Sequence, residues 1–205
     1  MRTVKVFVFV AALGPLAYLV WGAVGGGLGA NPIEAVTHET GTWTLRFLLI
    51  TLAVTPVRRL TGWNGAVRLR RMLGLFAFFY GTLHLFTYLW LDQFFDGSAI
   101  LKDIYKRPFI TAGMVAFVAM LPLALTSTAG MIRRLGGQAW RRLHRLAYVA
   151  ALAGVVHYWW LVKLDLTRPQ IYAGILAVLL GARVAWAVAS RRAGGRGVAR
   201  RDTLP

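Results

Sequence analysis

The chain has 205 residues, 58% of them hydrophobic, a mean hydropathy of +0.58 and a formal net charge of +17. It is too apolar for an ordinary soluble domain and falls in the membrane class. With no cysteine it has no disulfide, thiolate metal site or iron–sulfur cluster, so any metal must be held by His, carboxylate or backbone oxygen.

Six spans close to the ~20 apolar residues that a bilayer requires are predicted, at 6–25, 44–57 (short, with room to extend at its start), 73–91, 108–126, 142–163 and 169–190. The first is longer than a signal-peptide core, and Gly25-Gly26-Gly27 does not lead into a soluble domain, so it is read as a retained helix. Between spans the arginines cluster: Arg58 and Arg59 with Arg68, Arg70 and Arg71; then Arg133, Arg134, Arg141, Arg142 and Arg145; then Arg191, Arg192, Arg196, Arg200 and Arg201. This is the positive-inside pattern, which explains the net charge better than nucleic-acid binding does. Both termini are then cytoplasmic. Glu34, Glu39, Asp92, Asp96, Asp103 and Asp165 fall in outer loops, and Asp202 falls inside. Trp21, Trp43, Trp90, Trp159 and Trp160 near outer ends, with Trp63 and Trp140 near inner ones, outline an aromatic belt. The expected architecture is therefore all-α: an integral membrane bundle of about six helices over residues 1–190, followed by a basic, disordered cytoplasmic tail, 191–205. The loops leave no room for an extramembrane catalytic domain, and the chain has no GxGxxG motif and no P-loop.

Three histidines stand inside these spans. An ionisable or ligating side chain within the bilayer is expensive to bury and marks a candidate functional site. His84 lies about 17 Å above the inner end of the third span. On the fifth span, His144 lies about 3 Å and His157 about 22 Å from that end. His84 and His157 are thus nearly level toward the outer face, and His144 sits about 20 Å below His157 on the same predicted helix. Imidazole suits haem iron, and two levels on one helix suit two stacked haems. Gly74, Gly81, Ala147, Ala150, Ala151 and Gly154 would leave space for a flat macrocycle or serve helix packing. His38 reads as a solvated residue of the outer loop 31–41. Arg70, Arg71, Arg141 and Arg142 flank the inner level and either set topology or pair with haem propionates or a flavin phosphate. Arg183, inside the sixth span, either snorkels or meets an anionic cofactor group.

Several stretches carry a resemblance: Gly29-Ala30-Asn31-Pro32-Ile33-Glu34 with Thr40-Gly41-Thr42-Trp43; Pro56-Val57-Arg58-Arg59; Arg70-Arg71-Met72-Leu73-Gly74-Leu75 leading to His84; Tyr105-Lys106-Arg107-Pro108-Phe109-Ile110-Thr111; and Trp140-Arg141-Arg142-Leu143-His144-Arg145-Leu146-Ala147-Tyr148 followed by His157. Over about residues 5–190 the chain resembles the MsrQ (YedZ) family of haem-binding membrane subunits, within the ferric-reductase-like transmembrane superfamily. The resemblance implies an electron-transfer subunit of the bacterial inner membrane that carries b-type haem and FMN. It would draw on the quinone pool or a flavin donor and pass electrons to MsrP, a periplasmic molybdopterin enzyme that repairs methionine sulfoxide and holds the catalytic centre. The haem-linked histidines map onto His84, His144 and His157. Wider relatives carry two histidines on the third span; here Arg70 or Arg71 stands at the lower position, which leaves open one haem or two. The outer loops 26–43 and 92–107 would face the partner. The competing reading is a small metal or proton transporter, since intramembrane histidines also relay protons or bind Zn²⁺. Carboxylates are absent from the spans and no pair of broken helices appears, which disfavours it.

Overall fold

The computed structural model describes residues 2–201. Eight α-helices make up the described chain: α1 Arg2–Val24, α2 Pro32–Thr61, α3 Val67–Phe86, α4 Gly97–Lys106, α5 Pro108–Leu125, α6 Ala129–Leu143, α7 Leu146–Leu161 and α8 Thr167–Arg201. A 3₁₀ turn, Asn64–Ala66, precedes α3, and a π-helical segment, Thr87–Asp92, follows it. Among the described residues there is no strand. α1, α2, α3 with its π-helical extension, α5 and α8 are long and apolar enough to cross a membrane. α7, with 16 residues, is apolar but shorter than the ~20 usually needed.

Local chemistry sets the helix ends. Asn31 caps α2, its Oδ1 accepting from Glu34 N at 3.2 Å while its Nδ2 donates to Glu34 Oε2 at 3.0 Å, and Pro32 starts the helix. Gly62 ends it in the left-handed conformation, φ 69°, donating to Arg58 O at 2.9 Å. Asp96 caps α4 and Thr128 caps α6. Inside α1, Pro15 interrupts the hydrogen-bond ladder. There the Tyr80 hydroxyl donates to Ala12 O at 2.8 Å and accepts from Leu16 N at 3.1 Å, bridging two groups that an unbroken helix would pair.

α2 is the central element. One face packs with α1, α3 and α5 through Ala12, Phe47, Leu48, Phe76, Ala77, Tyr80 and Met120; the other packs with α7 and α8 through Leu45, Leu49, Leu52, Ala151, Val155, Leu176 and Leu179. α5 lies along α7.

Three expectations change. The second span is not 44–57 but runs from Pro32, because the stretch read as an outer loop is capped and helical; His38 is accordingly an exposed residue of α2, not of a loop. The fifth span is not one helix over 142–163: the chain turns at His144 and Arg145, and Trp140–Leu143 belong to α6, an amphipathic helix bent at Gly136 (φ 74°). His144 and His157 therefore lie on different elements. Lastly, α8 carries on as helix to Arg201 where the sequence points to a disordered tail from 191; residues 202–205 lie outside those described.

Candidate functional site

Two of the three candidate histidines meet. His84, near the end of α3, and His157, near the end of α7, face each other with ring centroids 5.9 Å apart and planes crossed at 74°. Both side chains are half-buried. His84 Nδ1 lies 2.9 Å from Thr37 O on α2, and His157 Nδ1 lies 2.6 Å from Phe109 O on α5. A carbonyl only accepts, so each Nδ1 carries the proton and each Nε2 keeps its lone pair. Neither Nε2 has a hydrogen-bond partner among the described residues. Four helices thus cooperate: two supply rings and two supply the carbonyls that orient them.

The pair can be tested against a single iron. An imidazole–metal bond is about 2 Å, and the ring adds about 1 Å on each side, so two imidazoles on one metal have centroids about 6 Å apart. The observed 5.9 Å fits. The donor set also fits, since neutral imidazoles held through their second nitrogen are the usual axial ligands of an electron-transfer haem.

Hydroxyls surround the backbone at His84. Thr87 Oγ1 donates to His84 O at 2.8 Å, and Thr37 Oγ1 lies 3.2 Å from Thr87 Oγ1 while donating to Ile33 O at 2.8 Å. The π-helical segment begins at Thr87, three residues after the histidine, and such segments often occur at functional sites.

His144 stays apart from this pair. It ends α6, stacks on Trp140 with centroids 3.7 Å apart, and places its Nδ1 3.0 Å from Trp140 O. Trp140 is itself tied to Thr126 O at 3.1 Å. Arg70 reaches toward Thr55 Oγ1, 3.5 Å away. Arg183 donates to Leu179 O at 2.7 Å and to Leu52 O, and its guanidinium lies 5.6 Å from the Tyr148 ring centre, so it ties α8 to α2. Gly74, Gly81 and Gly154 serve packing: a side chain there would meet Thr51, Met120 and Thr44, or Leu45.

Sequence reasoning missed the backbone partners Thr37 and Phe109, and Gly41 and Gly113, which lie against the two rings. It also passed over Arg46, inside the second span, which donates to the Tyr172 hydroxyl at 3.0 Å and sits 4.6 Å over Trp43. The signal for Arg46 was available as a lone charge in an apolar run.

A family model described as "Ferric reductase like transmembrane component" matches residues 40–155. The chain is 56% identical over 186 residues to a protein of Herminiimonas arsenicoxydans, covering 90% of this chain and 85% of the relative. It is 56% identical over 193 residues to one of Rhodospirillum rubrum (94% and 93%), and 57% identical over 185 residues to one of Azospira oryzae (90% and 79%). All three are named protein-methionine-sulfoxide reductase heme-binding subunit MsrQ.

The chain belongs to the MsrQ family. It is a multi-pass membrane protein with the ferric-reductase-like transmembrane component at its centre. Within that component lie His84, His144, Gly41, Gly113 and Phe109, while Thr37 lies three residues before its start and His157 two residues after its end. No solved structure matches the chain.

Proposed function

We propose that the chain is a membrane electron-transfer subunit that binds b-type haem between His84 and His157 and passes electrons to a periplasmic protein-methionine-sulfoxide reductase. The observation that carries this reading is the crossed histidine pair, with both Nδ1 atoms tied to backbone carbonyls and both Nε2 atoms without a hydrogen-bond partner among the described residues. The names of the relatives agree with it. Held by His84 and His157, haem would supply one-electron redox chemistry.

The chain's own part is to fix and tune that site. Thr37 O and Phe109 O hold the tautomer and raise the basicity of each imidazole, which would favour the oxidised state of a haem held there. His144 is the candidate ligand for a second, inner haem, one turn above the stacked Trp140. FMN is the second cofactor in this reading, at a site not assigned to residues. The arginine clusters support a reading with both termini in the cytoplasm, residues 1–190 as a transmembrane haem-binding domain of the bacterial inner membrane and 191–205 as a basic tail. The electron donor is the quinone pool or a cytosolic flavin reductase, and the acceptor is the molybdopterin subunit MsrP, which holds the catalytic centre and pairs with this chain as a heterodimer. α4 and the strained turn before it, where Phe94 and Phe95 both have positive φ (46° and 59°), belong to the outer docking face.

The test is anaerobic. The purified chain is reduced with dithionite, freed of excess reductant and mixed with the molybdopterin subunit. Reoxidation of haem only when methionine sulfoxide is also present supports the reading. Haem that stays reduced with both present contradicts it.

A further inference from the structure

We infer that Gly41 and Gly113 are positioning residues for the two histidines, each forming with the carbonyl one turn earlier a cradle that an added Cβ would crowd. The inference rests on the reading of His84 and His157 as a ligand pair. The two halves of the site repeat one arrangement. His84 Nδ1 is bound to the carbonyl of residue 37, and glycine stands at 41; His157 Nδ1 is bound to the carbonyl of residue 109, and glycine stands at 113.

The offset of four has a physical reason. In an α-helix the Cα–Cβ bond tilts toward the N-terminus, so a side chain covers the turn before its own Cα. A Cβ at position 41 overhangs the carbonyl of Thr37, and one at 113 overhangs that of Phe109. Each carbonyl has a second lone pair beyond the one used along its helix, which at Thr37 the Thr40 hydroxyl also approaches at 3.1 Å, and the ring reaches it more closely where the overhang is bare. The distances agree. A Cβ on Gly41 would lie 3.0 Å from His84 Nδ1 and Cε1, and one on Gly113 would lie 2.9 Å from His157 Nδ1. At Gly113 the ring would have to move, and at Gly41 it would have to give by a few tenths of an ångström. The cradle therefore sets two properties of the pair: the strength of each Nδ1–H···O=C bond and the 74° crossing of the ring planes.

The experiment compares Gly41→Ala and Gly113→Ala with Gly174→Ala and Gly181→Ala, positions on α8 where an added Cβ meets nothing within 4 Å. On the purified haem-loaded chain, a redox titration and the ferric low-spin EPR spectrum are recorded. Weakening the carbonyl bond makes the imidazole a poorer donor, so the reduced-to-oxidised ratio at a fixed ambient potential should rise by about tenfold, equivalent to about 59 mV for one electron. The EPR g values should move as well, because a ring has turned. Gly113→Ala should have the larger effect, since its contact is closer and its bond shorter. The α8 controls should change neither readout.

Unchanged potential and g values in both cradle variants would overturn the inference while leaving the ligand pair intact. If a cradle variant binds no haem, the amount of chain in the membrane decides. Normal accumulation without haem supports a role at the histidines. Loss of the chain, with the controls accumulating, means the glycines serve packing alone and overturns it. Haem retained in full by both His84→Ala and His157→Ala would instead remove the underlying reading.

Discussion

Each histidine at the centre of the molecule depends on a backbone group from another helix. His84→Ala and His157→Ala should each abolish the low-spin haem signal of the outer site, because one remaining imidazole leaves the iron without its second axial ligand. His144→Ala should leave that signal in place, since His144 faces Trp140 and not the pair; loss of the outer signal in this variant would contradict the separation. The histidines were legible because an imidazole in an apolar span has few other reasons to be there. The cradle glycines were not. A glycine in a membrane helix usually reads as a packing position, and Gly74, Gly81 and Gly154 are just that. What distinguishes Gly41 and Gly113 is a ring on a distant element, which sequence spacing does not reveal. Arg183 shows the reverse case. Its position in a span suggested snorkelling or an anion, whereas the guanidinium is taken up by the carbonyls of Leu179 and Leu52. Arg183→Leu should loosen α8 from α2 and lower the thermal stability of the purified chain by about 0.6 kcal/mol, and at most ~1.7, as interhelical bonds in membranes do.

Among the elements, apolar length located the five helices long enough to cross a membrane, and polar chemistry decided where several of them end. α2 starts twelve residues earlier than its apolar run because Asn31 and Pro32 cap it there, and this extension places Thr37 and Gly41 beside His84. The break between α6 and α7 was hidden because Trp140–Tyr148 carries no proline or glycine to mark it. The turn at Phe94 and Phe95 was hidden likewise, since aromatic residues seldom adopt positive φ. α1 is held to α3 by the Tyr80 hydroxyl at the Pro15 interruption. Tyr80→Phe should cost only about 0.6 kcal/mol, because Leu16 N and Ala12 O can then approach each other; a loss of several kcal/mol on thermal unfolding would show that they cannot. α4 depends on a charge. The Asp96 carboxyl is held below its ordinary value by the Ser98 hydroxyl first, then by the Ala99 and Ser98 amides. A lowered carboxyl pKa contributes stability above the unfolded value, and this is lost as pH falls through the lower folded value. Amide exchange in α4 should therefore speed up, relative to its intrinsic rate, below about pH 4, and Asp96→Asn should weaken that dependence.

At the scale of the whole molecule, the bundle brings α3 and α7 together across α2 and α5, joining residues 73 positions apart in the chain, 84 and 157, into one pair. Depth along each span was enough to anticipate that these two histidines are level. It could not show which helices supply the carbonyls, since that depends on how four helices are arranged around the pair. His144 stands just before α7 and His157 near the far end of that helix, so a second haem would need a ligand beyond the histidine set.

The central claim is that one pair of imidazoles, His84 and His157, holds a haem. The most direct test is a dithionite-reduced minus oxidised absorption spectrum of the detergent-purified chain, with haem-to-protein quantification, for the unaltered chain and for His84→Ala and His157→Ala. The account predicts a b-type spectrum in the unaltered chain and the loss of one haem equivalent in each variant. A chain without haem despite ample supply, or the same haem content in all three proteins, would contradict it.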